Sequence, residues 1–207
     1  MNRIAQRFSM FRRAQDGIAY LEFALCLPFL LALFMGAVEV TRYILIAQKV
    51  EKTVVTISDV IAQGSTISNS DLNNLIVASS QVMQPYVMGA NGYVIVSSVK
   101  QTGTYSAGNP PRVDWQYTSS GTNGSWVQSS LVGSTGSAAT LPGGMTLFDK
   151  DNVIVTEIYY NYQPLLSTNG VITGGTIYKT SVYKPRLGDL STLSALPFWL
   201  MQKGVLL

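Results

Sequence analysis

Residues 18–38 read IAYLEFALCLPFLLALFMGAV, a run of 21 residues that contains a single charged side chain, Glu22. As an α-helix with a rise of about 1.5 Å per residue, the run spans roughly 31 Å, which matches a hydrocarbon core of about 30 Å. Four arginines precede it and mixed charges follow it, so the positive-inside rule places the N-terminus in the cytoplasm. The sequence therefore predicts one membrane-spanning helix over residues 18–40, with everything after it outside.

Two other interpretations of this run are weaker. A cleavable secretory signal has an apolar core of about 7–15 residues that ends in a small-x-small site, whereas this run is longer and Met35 stands where a small residue is needed. A lipoprotein signal is disfavoured because the bulky Leu25 precedes Cys26 and most of the apolar run follows the cysteine.

Two residues within the predicted span are unusual for a membrane segment. Glu22 is ionisable, and a charge at the bilayer centre costs about 2.5–3.5 kcal/mol, which makes it a functional candidate. Its position near the cytoplasmic end leaves a second interpretation open, in which the carboxylate reaches the headgroups at much lower cost. Pro28 cannot donate a hydrogen bond to the carbonyl of Ala24, so a bend of the helix is predicted there.

The residues that open the helix resemble a known processing site. Residues 17–23, GIAYLEF, form a G-x-x-x-x-E-F pattern between a basic leader and an apolar helix, similar to the site at which prepilin peptidases cut type IV-pilin-like precursors. Residues 22–31, EFALCLPFLL, are similar to the opening of TadE-like proteins of tight-adherence (Tad/Flp) pili. Residues 39–42, EVTR, resemble the segment that closes the membrane helix in that family.

Later segments carry the same resemblance. Residues 71–85 are similar to a short family helix that ends in proline, and residues 153–164, VIVTEIYYNYQP, are similar to its V-x-V-x-E-[VI]-x-Y-x-Y-x-P strand. Lys184-Pro185-Arg186 stands near the position of a closing R-P-R. The chain departs from the family by a lysine at the first of these positions and by a long polar insertion over residues 119–144.

The resemblance implies a non-enzymatic minor pseudopilin at the bacterial inner membrane, with a cytoplasmic N-terminus and a periplasmic C-terminal domain. Its implied partners are a prepilin peptidase, other pilins or pseudopilins packed along the N-terminal helix, and the membrane itself. The implied processing site comprises Gly17, Ile18, Glu22 and Phe23, with cleavage after the glycine. Glu22 would then pair with the new α-amino group of a neighbouring subunit and set the register between subunits.

Composition limits the chemistry available to the chain. The 207 residues include no histidine and one cysteine, which removes His-based acid–base catalysis, Cys/His nucleophile pairs, Cys/His zinc sites and any intramolecular disulfide. From Tyr43 onward nine Lys/Arg face eight Asp/Glu, so no basic stripe for nucleic acid is present. Residues 149–152, DKDN, lack the glycine and distal glutamate of a calcium loop. We expect no metal, no cofactor and no small-molecule substrate.

The remaining patterns predict an α+β domain of pilin-like plan. Apolar residues at helical spacing extend the first helix to Gly64, and Ser70 is the predicted N-cap of a second helix that starts near Asp71. That apolar stripe comprises Val54, Ile57, Val60 and Ile61. Four segments rich in β-branched and aromatic residues predict an antiparallel sheet, at residues 93–99, 112–117, 153–162 and 176–183.

The predicted organisation has four parts: a basic leader (1–17), a transmembrane helix (18–40), a helix extension (41–64) and an exported domain (65–207). Residues 119–144 are predicted to be a loop, with one short strand at Trp126-Val127. Residues 190–207 form an apolar segment that would pack on the domain or offer a patch to another subunit.

Two rival functions remain in view. In the first, the sheet and the loop at residues 119–144 belong to a membrane-tethered module that binds a glycan or a peptide. Tyr160 and Tyr162 do not favour it, because strand alternation places them with Ile154 and Ile158 in the predicted core. In the second, the chain is an anchored hydrolase, for which the carboxylates after the membrane form no recognisable acid pair; these are Asp114, Asp149, Asp151 and Glu157.

Overall fold

The computed structural model describes residues 16–119, 126–165 and 173–194. It has the α+β architecture that the sequence predicts, and the chain divides into two compact units between Tyr43 and Ile44. The helices are α1 (Asp16–Ala62), α2 (Asn69–Met83) and the short α3 (Met88–Asn91). The strands are β1 (Gly92–Lys100), β2 (Arg112–Thr118), β3 (Asn152–Tyr162) and β4 (Gly175–Tyr183), and a 3-10 turn covers Pro142–Gly144.

In the first unit, the described residues are the N-terminal part of α1. The helix runs through Pro28 without interruption, and the bend predicted there stays a prediction. Near the end of the unit Thr41 Oγ1 donates a 2.8 Å hydrogen bond to the carbonyl of Ala37, and Arg42 Nη1 lies 3.9 Å from Glu39 Oε2. The arginines of the predicted leader lie outside the described residues.

The second unit is built on a four-stranded antiparallel sheet with the order β2-β1-β3-β4. Each of the four predicted strands is present, with ends within two residues of the predicted ones. A bulge between Ser98 and Val99 shifts the register of β1 against β2, whereas β1 and β3 pair without a shift from Gly92 opposite Tyr160 to Lys100 opposite Asn152. The regularly paired strands β1 and β3 therefore form the centre of the sheet.

One face of the sheet packs against α1 and α2. Ile46, Val50, Val54, Ile57 and Ile61 of α1 are buried, with exposed fractions of 3% or less. The residues of α1 after Tyr43 are thus part of the core of the second unit. From the sheet, the same core contains Val94, Val96, Ile154, Ile158, Tyr160, Tyr162 and Ile177, which confirms the predicted burial of the two tyrosines.

Val60 is a correction to the predicted apolar stripe of α1. Its side chain is 41% exposed, whereas Ile57 and Ile61 are buried. Successive residues of an α-helix are rotated by about 100° around the helix axis, so the side chain of Val60 lies on a different face of α1 from that of Ile61. It borders a groove between α1 and α2 instead of the sheet.

The second face of the sheet is covered by residues 126–147. Val99, Val113, Val153 and Val155 of the sheet pack there in one cluster with buried residues of this segment, namely Val132, Ala139, Leu141 and Leu147. The prediction of a short strand at Trp126-Val127 is wrong, because neither residue joins a strand. Trp126 contributes its side chain instead, packed against the cluster that contains Tyr93 and Tyr159.

The start of α2 also corrects the sequence prediction. Ser68, and not Ser70, is the N-cap: its hydroxyl accepts a 3.2 Å hydrogen bond from the backbone N–H of Asp71, and the Asp71 carboxylate accepts one of 3.1 Å from the backbone N–H of Ser68. This reciprocal pair is a capping box, in which an acidic residue at the third helical position fixes which serine caps.

The Lys184-Pro185-Arg186 segment closes the C-terminal end of α1. The backbone N–H of Arg186 donates to the carbonyl of Ala62 at 2.8 Å, and its guanidinium Nη2 lies 2.6 Å from Asp59 Oδ1. A cation at a helix C-terminus also interacts favourably with the helix dipole. Lys184 pairs separately with Asp151, with a Nζ–Oδ1 distance of 2.5 Å.

Candidate functional site

The N-terminal part of α1 presents large apolar side chains on all sides. Tyr20, Leu21, Phe29 and Leu33 are each more than 70% exposed. A helix in the core of a soluble domain buries such residues, so this part of α1 requires a lipid or protein environment. Among the described residues α1 is the one helix that is long and apolar enough to cross a membrane.

The predicted processing residues all lie in the first two turns of α1. The helix begins at Asp16, so the peptide bond between Gly17 and Ile18 lies in its first turn. Helix ends fray, and glycine is about 1 kcal/mol less favourable than alanine in a helix, so little work is needed to extend this bond for a protease. A Cβ atom at Gly17 would have no neighbour within 4 Å, which shows that the backbone is open on that side.

Glu22 lies one helical turn after Ile18, and both side chains are exposed, as is Phe23. Residues four apart in a helix share a face, with their Cβ atoms about 5–6 Å apart. The helix therefore places Glu22 next to the position at which an amino terminus at Ile18 would stand. Neither side chain is packed away within its own unit, so both are free to meet another chain.

A second site, which is buried, lies on the central strand β3 of the second unit. The side chain of Glu157 is fully buried, on the sheet face that residues 126–147 cover. Its carboxylate accepts hydrogen bonds from the backbone N–H of Leu131 at 2.9 Å, from Tyr178 Oη at 3.0 Å and from Ser130 Oγ. A buried charge is tolerated when such donors satisfy it, and two of the three donors come from the covering segment. Glu157 thus fastens residues 130–131 to the sheet.

The two tyrosines beside Glu157 are held in their neutral form. Burial, followed by the negative charge of Glu157, raises the pKa of Tyr159 to about 12 and raises the pKa of Tyr178 as well. Their ring centroids are 4.8 Å apart, and Tyr159 Oη donates to the carbonyl of Ser129 at 2.9 Å. Both phenols therefore act as hydrogen-bond donors across the physiological pH range.

The other carboxylates considered for a hydrolase are engaged separately. Asp149 accepts the backbone N–H of Gly103 at 2.5 Å, and Asp151 pairs with Lys184, which lowers the pKa of this carboxyl. Burial raises the pKa of Asp114, against the opposing charge of Lys100. Neither these three carboxylates nor Glu157 lines either of the two clefts described next. In the described ranges no group of three or more His, Cys, Asp or Glu side chains is placed to hold a metal.

Two clefts open on the second unit. The larger has a volume of about 920 Å³ and lies between α2, the segment at residues 84–89 and the β1–β2 end of the sheet; its lining contains no charged side chain. The smaller, of about 490 Å³, is the groove between α1 and α2. The binding-module interpretation uses the sheet and the insertion as a ligand surface. In the structure, one face of the sheet and the described part of this insertion are instead packed against each other.

Within the described residues, one apolar helix of membrane length leads into an α+β domain, which is the arrangement of membrane-anchored proteins of pilin-like plan. Residues 17–55 match the family model described as TadE-like protein, and this segment lies within α1. The TadE-like resemblance is thereby confirmed over residues 17–55, and it supports a component associated with Tad pili. The TadE-like family is a family of pilus components and is not known for catalysis. No curated protein and no solved structure matches the chain.

Proposed function

We propose that this protein is a non-enzymatic minor pseudopilin of a Tad/Flp-type adherence and secretion machine. The observation that carries the proposal is the TadE-like match over residues 17–55, because it falls on the one described helix that is long and apolar enough to cross a membrane. Such a helix functions by packing against lipid and against similar helices. The outer α+β unit is the part that this helix holds at the membrane surface, in the periplasm of a bacterial cell.

In this proposal a prepilin peptidase removes the basic leader after Gly17, and the mature chain begins at Ile18. Support comes from the position of the bond in the first turn of α1 and from the open backbone at the glycine. The cleavage creates a positive α-amino group one helical turn from Glu22. In an apolar environment each of these charges is costly without a partner, so pairing between neighbouring chains fixes one register among the many that apolar packing permits.

The experiment that tests the role of Glu22 compares three variants of the full chain in its native host. Glu22→Leu and Glu22→Gln insert into the membrane like wild type but abolish or strongly reduce pilus assembly, because both remove the charge. Glu22→Asp, which keeps the charge on a shorter side chain, retains part of the assembly. The measurements are membrane fractionation and pilus counts by electron microscopy.

Tyr20→Leu is the matched control, since it changes a large exposed side chain in the same turn without altering charge. It should assemble like wild type. Normal piliation of the Glu22→Leu strain would refute the proposed register function of this residue.

A further inference from the structure

The groove between α1 and α2 is an apolar surface without a role in the proposed function. Its volume is about 490 Å³, within the range of about 300–1,000 Å³ at which pockets bury a ligand. Val60, Ile61, Ile67, Leu75 and Ala78 form its apolar lining. Ile61 and Ile67 lie buried at its floor, whereas Val60 at its rim is 41% exposed.

The α2 helix presents two faces, and the groove uses the second one. Leu72, Ser79 and Met83 are buried and point to the core. Asp71, Asn74, Leu75 and Ala78 recur at the 3-and-4 spacing of another helical face and line the groove. Leu75 is partly buried against the core and Ala78 is exposed, so the apolar part of this face is only partly covered.

The described chain ends beside this groove. The backbone N–H of Ser194 donates a 2.8 Å hydrogen bond to the carbonyl of Ile67, which is a lining residue, and Ser194 pairs in parallel with Ser68. Four residues earlier, Leu190 is buried and its carbonyl accepts a 2.7 Å hydrogen bond from Trp115 Nε1. Residues 190–194 are thus fixed to the domain, and the segment that follows starts within one residue of the groove.

The composition of that following segment complements the groove. Residues 195–207 read ALPFWLMQKGVLL, with Lys203 as their one charge. Four residues past Ser194, Phe198 can lie up to about 13 Å away, and the helical face from Asp71 to Ala78 is about 10 Å long. We propose that residues 195–207 of this chain dock in the groove, where Phe198, Trp199 or Leu200 covers Val60 and Leu75.

Disulfide trapping in the full-length membrane protein tests the docking directly. In a Cys26→Ala background, which removes the only native cysteine, Ala78→Cys is combined in turn with Phe198→Cys, Trp199→Cys and Leu200→Cys. The control replaces Ala78→Cys by Phe148→Cys, which is 82% exposed and lies outside the groove. After oxidation, non-reducing electrophoresis and peptide mapping measure the disulfides within and between chains.

We expect at least one Ala78 pairing to form an intramolecular disulfide several-fold more efficiently than the matched Phe148 pairing, because docking raises the local concentration of the thiols. Equal yields from the two sites, or no disulfide from either, would overturn the proposal. Disulfides that form mainly between chains would overturn it too, and would assign the segment to a second copy of the protein.

A second measurement does not depend on the choice of cysteine positions. Val60→Asp places a charge on the exposed rim of the groove and should increase the rate of proteolysis within residues 195–207 several-fold, while cleavage elsewhere stays unchanged. The matched control Val127→Asp changes a valine that is 69% exposed on the opposite side of the sheet. An unchanged rate in the Val60→Asp protein, or an equal increase in both, would contradict the docking.

Discussion

Glu157 shows how one residue can connect a long insertion to the sheet. Its carboxylate holds two donors from residues 130–131 and one from β4, and each partner is far from it in sequence. The residue was a hydrolase candidate on residue type alone. Its burial under the insertion and its three hydrogen-bond donors indicate that Glu157 anchors the packing, and it lines neither of the two clefts described above.

We predict that Glu157→Gln lowers the free energy of unfolding by about 1–3 kcal/mol, the range for hydrogen bonds to a charged group. Hydrogen exchange of residues 126–132 should accelerate before that of the central strands, because the insertion loses its attachment. Thr156→Val is the matched control: it is the preceding residue, and its buried hydroxyl has no hydrogen-bond partner within the described part of the chain. It should leave stability unchanged or slightly higher. Similar losses in both variants would contradict the anchor function.

The two tyrosines give the domain a defined response to alkaline pH. Their pKa values are raised from the ordinary value of 10.0, in Tyr159 to about 12, so the folded state keeps protons that the unfolded state releases. This contribution is fully present below pH 10 and is lost as pH rises through the folded-state values. The free energy of unfolding should therefore fall above pH 10, by at most about 1.4 kcal/mol per pH unit for each tyrosine.

The check is to measure denaturant unfolding between pH 9 and 12 for wild type and for the Tyr159→Phe/Tyr178→Phe double variant. The variant should start less stable, because Glu157 loses a donor, and should show a shallower alkaline slope. Lysine deprotonation contributes equally to both proteins. Identical slopes would show that the phenols do not control the response.

At the scale of elements, the sequence predicts best where a pattern is local. Strands β1 to β4 are rich in β-branched and aromatic residues and are separated by turn formers, and all four lie where this pattern places them. The apolar run of α1 is similarly evident. Residue type alone does not identify the N-cap of α2, because Ser68 and Ser70 are both good caps, and the acidic residue three positions after Ser68 decides between them.

The capping box of α2 makes a direct prediction about that choice. Ser68→Ala should destabilise the domain by about 1 kcal/mol, because it removes the hydroxyl that satisfies the Asp71 N–H. Ser70→Ala should cost much less, since the Ser70 hydroxyl contacts Ser68 and does not cap the helix. Thermal or denaturant unfolding of the two variants checks this. A larger loss for Ser70→Ala would restore the assignment made from sequence.

Covering segments are the elements that sequence patterns do not predict. Residues 126–147 have no regular periodicity, yet their apolar side chains complete a second core on the second face of the sheet, the one that does not contact α1 and α2. Their contacts depend on distant residues such as Val113 and Val153, which a window along the chain cannot connect. The sequence does not predict the groove beside Val60 either, because helical spacing alone predicts that this valine is buried in the core.

At the scale of the whole molecule, α1 has two different environments along its length. Before Tyr43 its large apolar side chains are exposed, whereas after Ile44 one of its faces is buried in the core of the second unit. An isolated form of the second unit that starts after residue 62 would therefore lack five buried core residues, Ile46, Val50, Val54, Ile57 and Ile61. Any soluble version of this domain must keep the second half of the helix.

The central claim, that the chain is a processed pseudopilin, is tested most directly by the intact mass of the protein purified from membranes of its native host. The comparison is between strains with and without the prepilin peptidase. The account predicts a chain that begins at Ile18 when the peptidase is present and a chain that retains residues 1–17 when it is absent. A full-length chain in both strains would contradict it and would leave α1 as a simple membrane anchor.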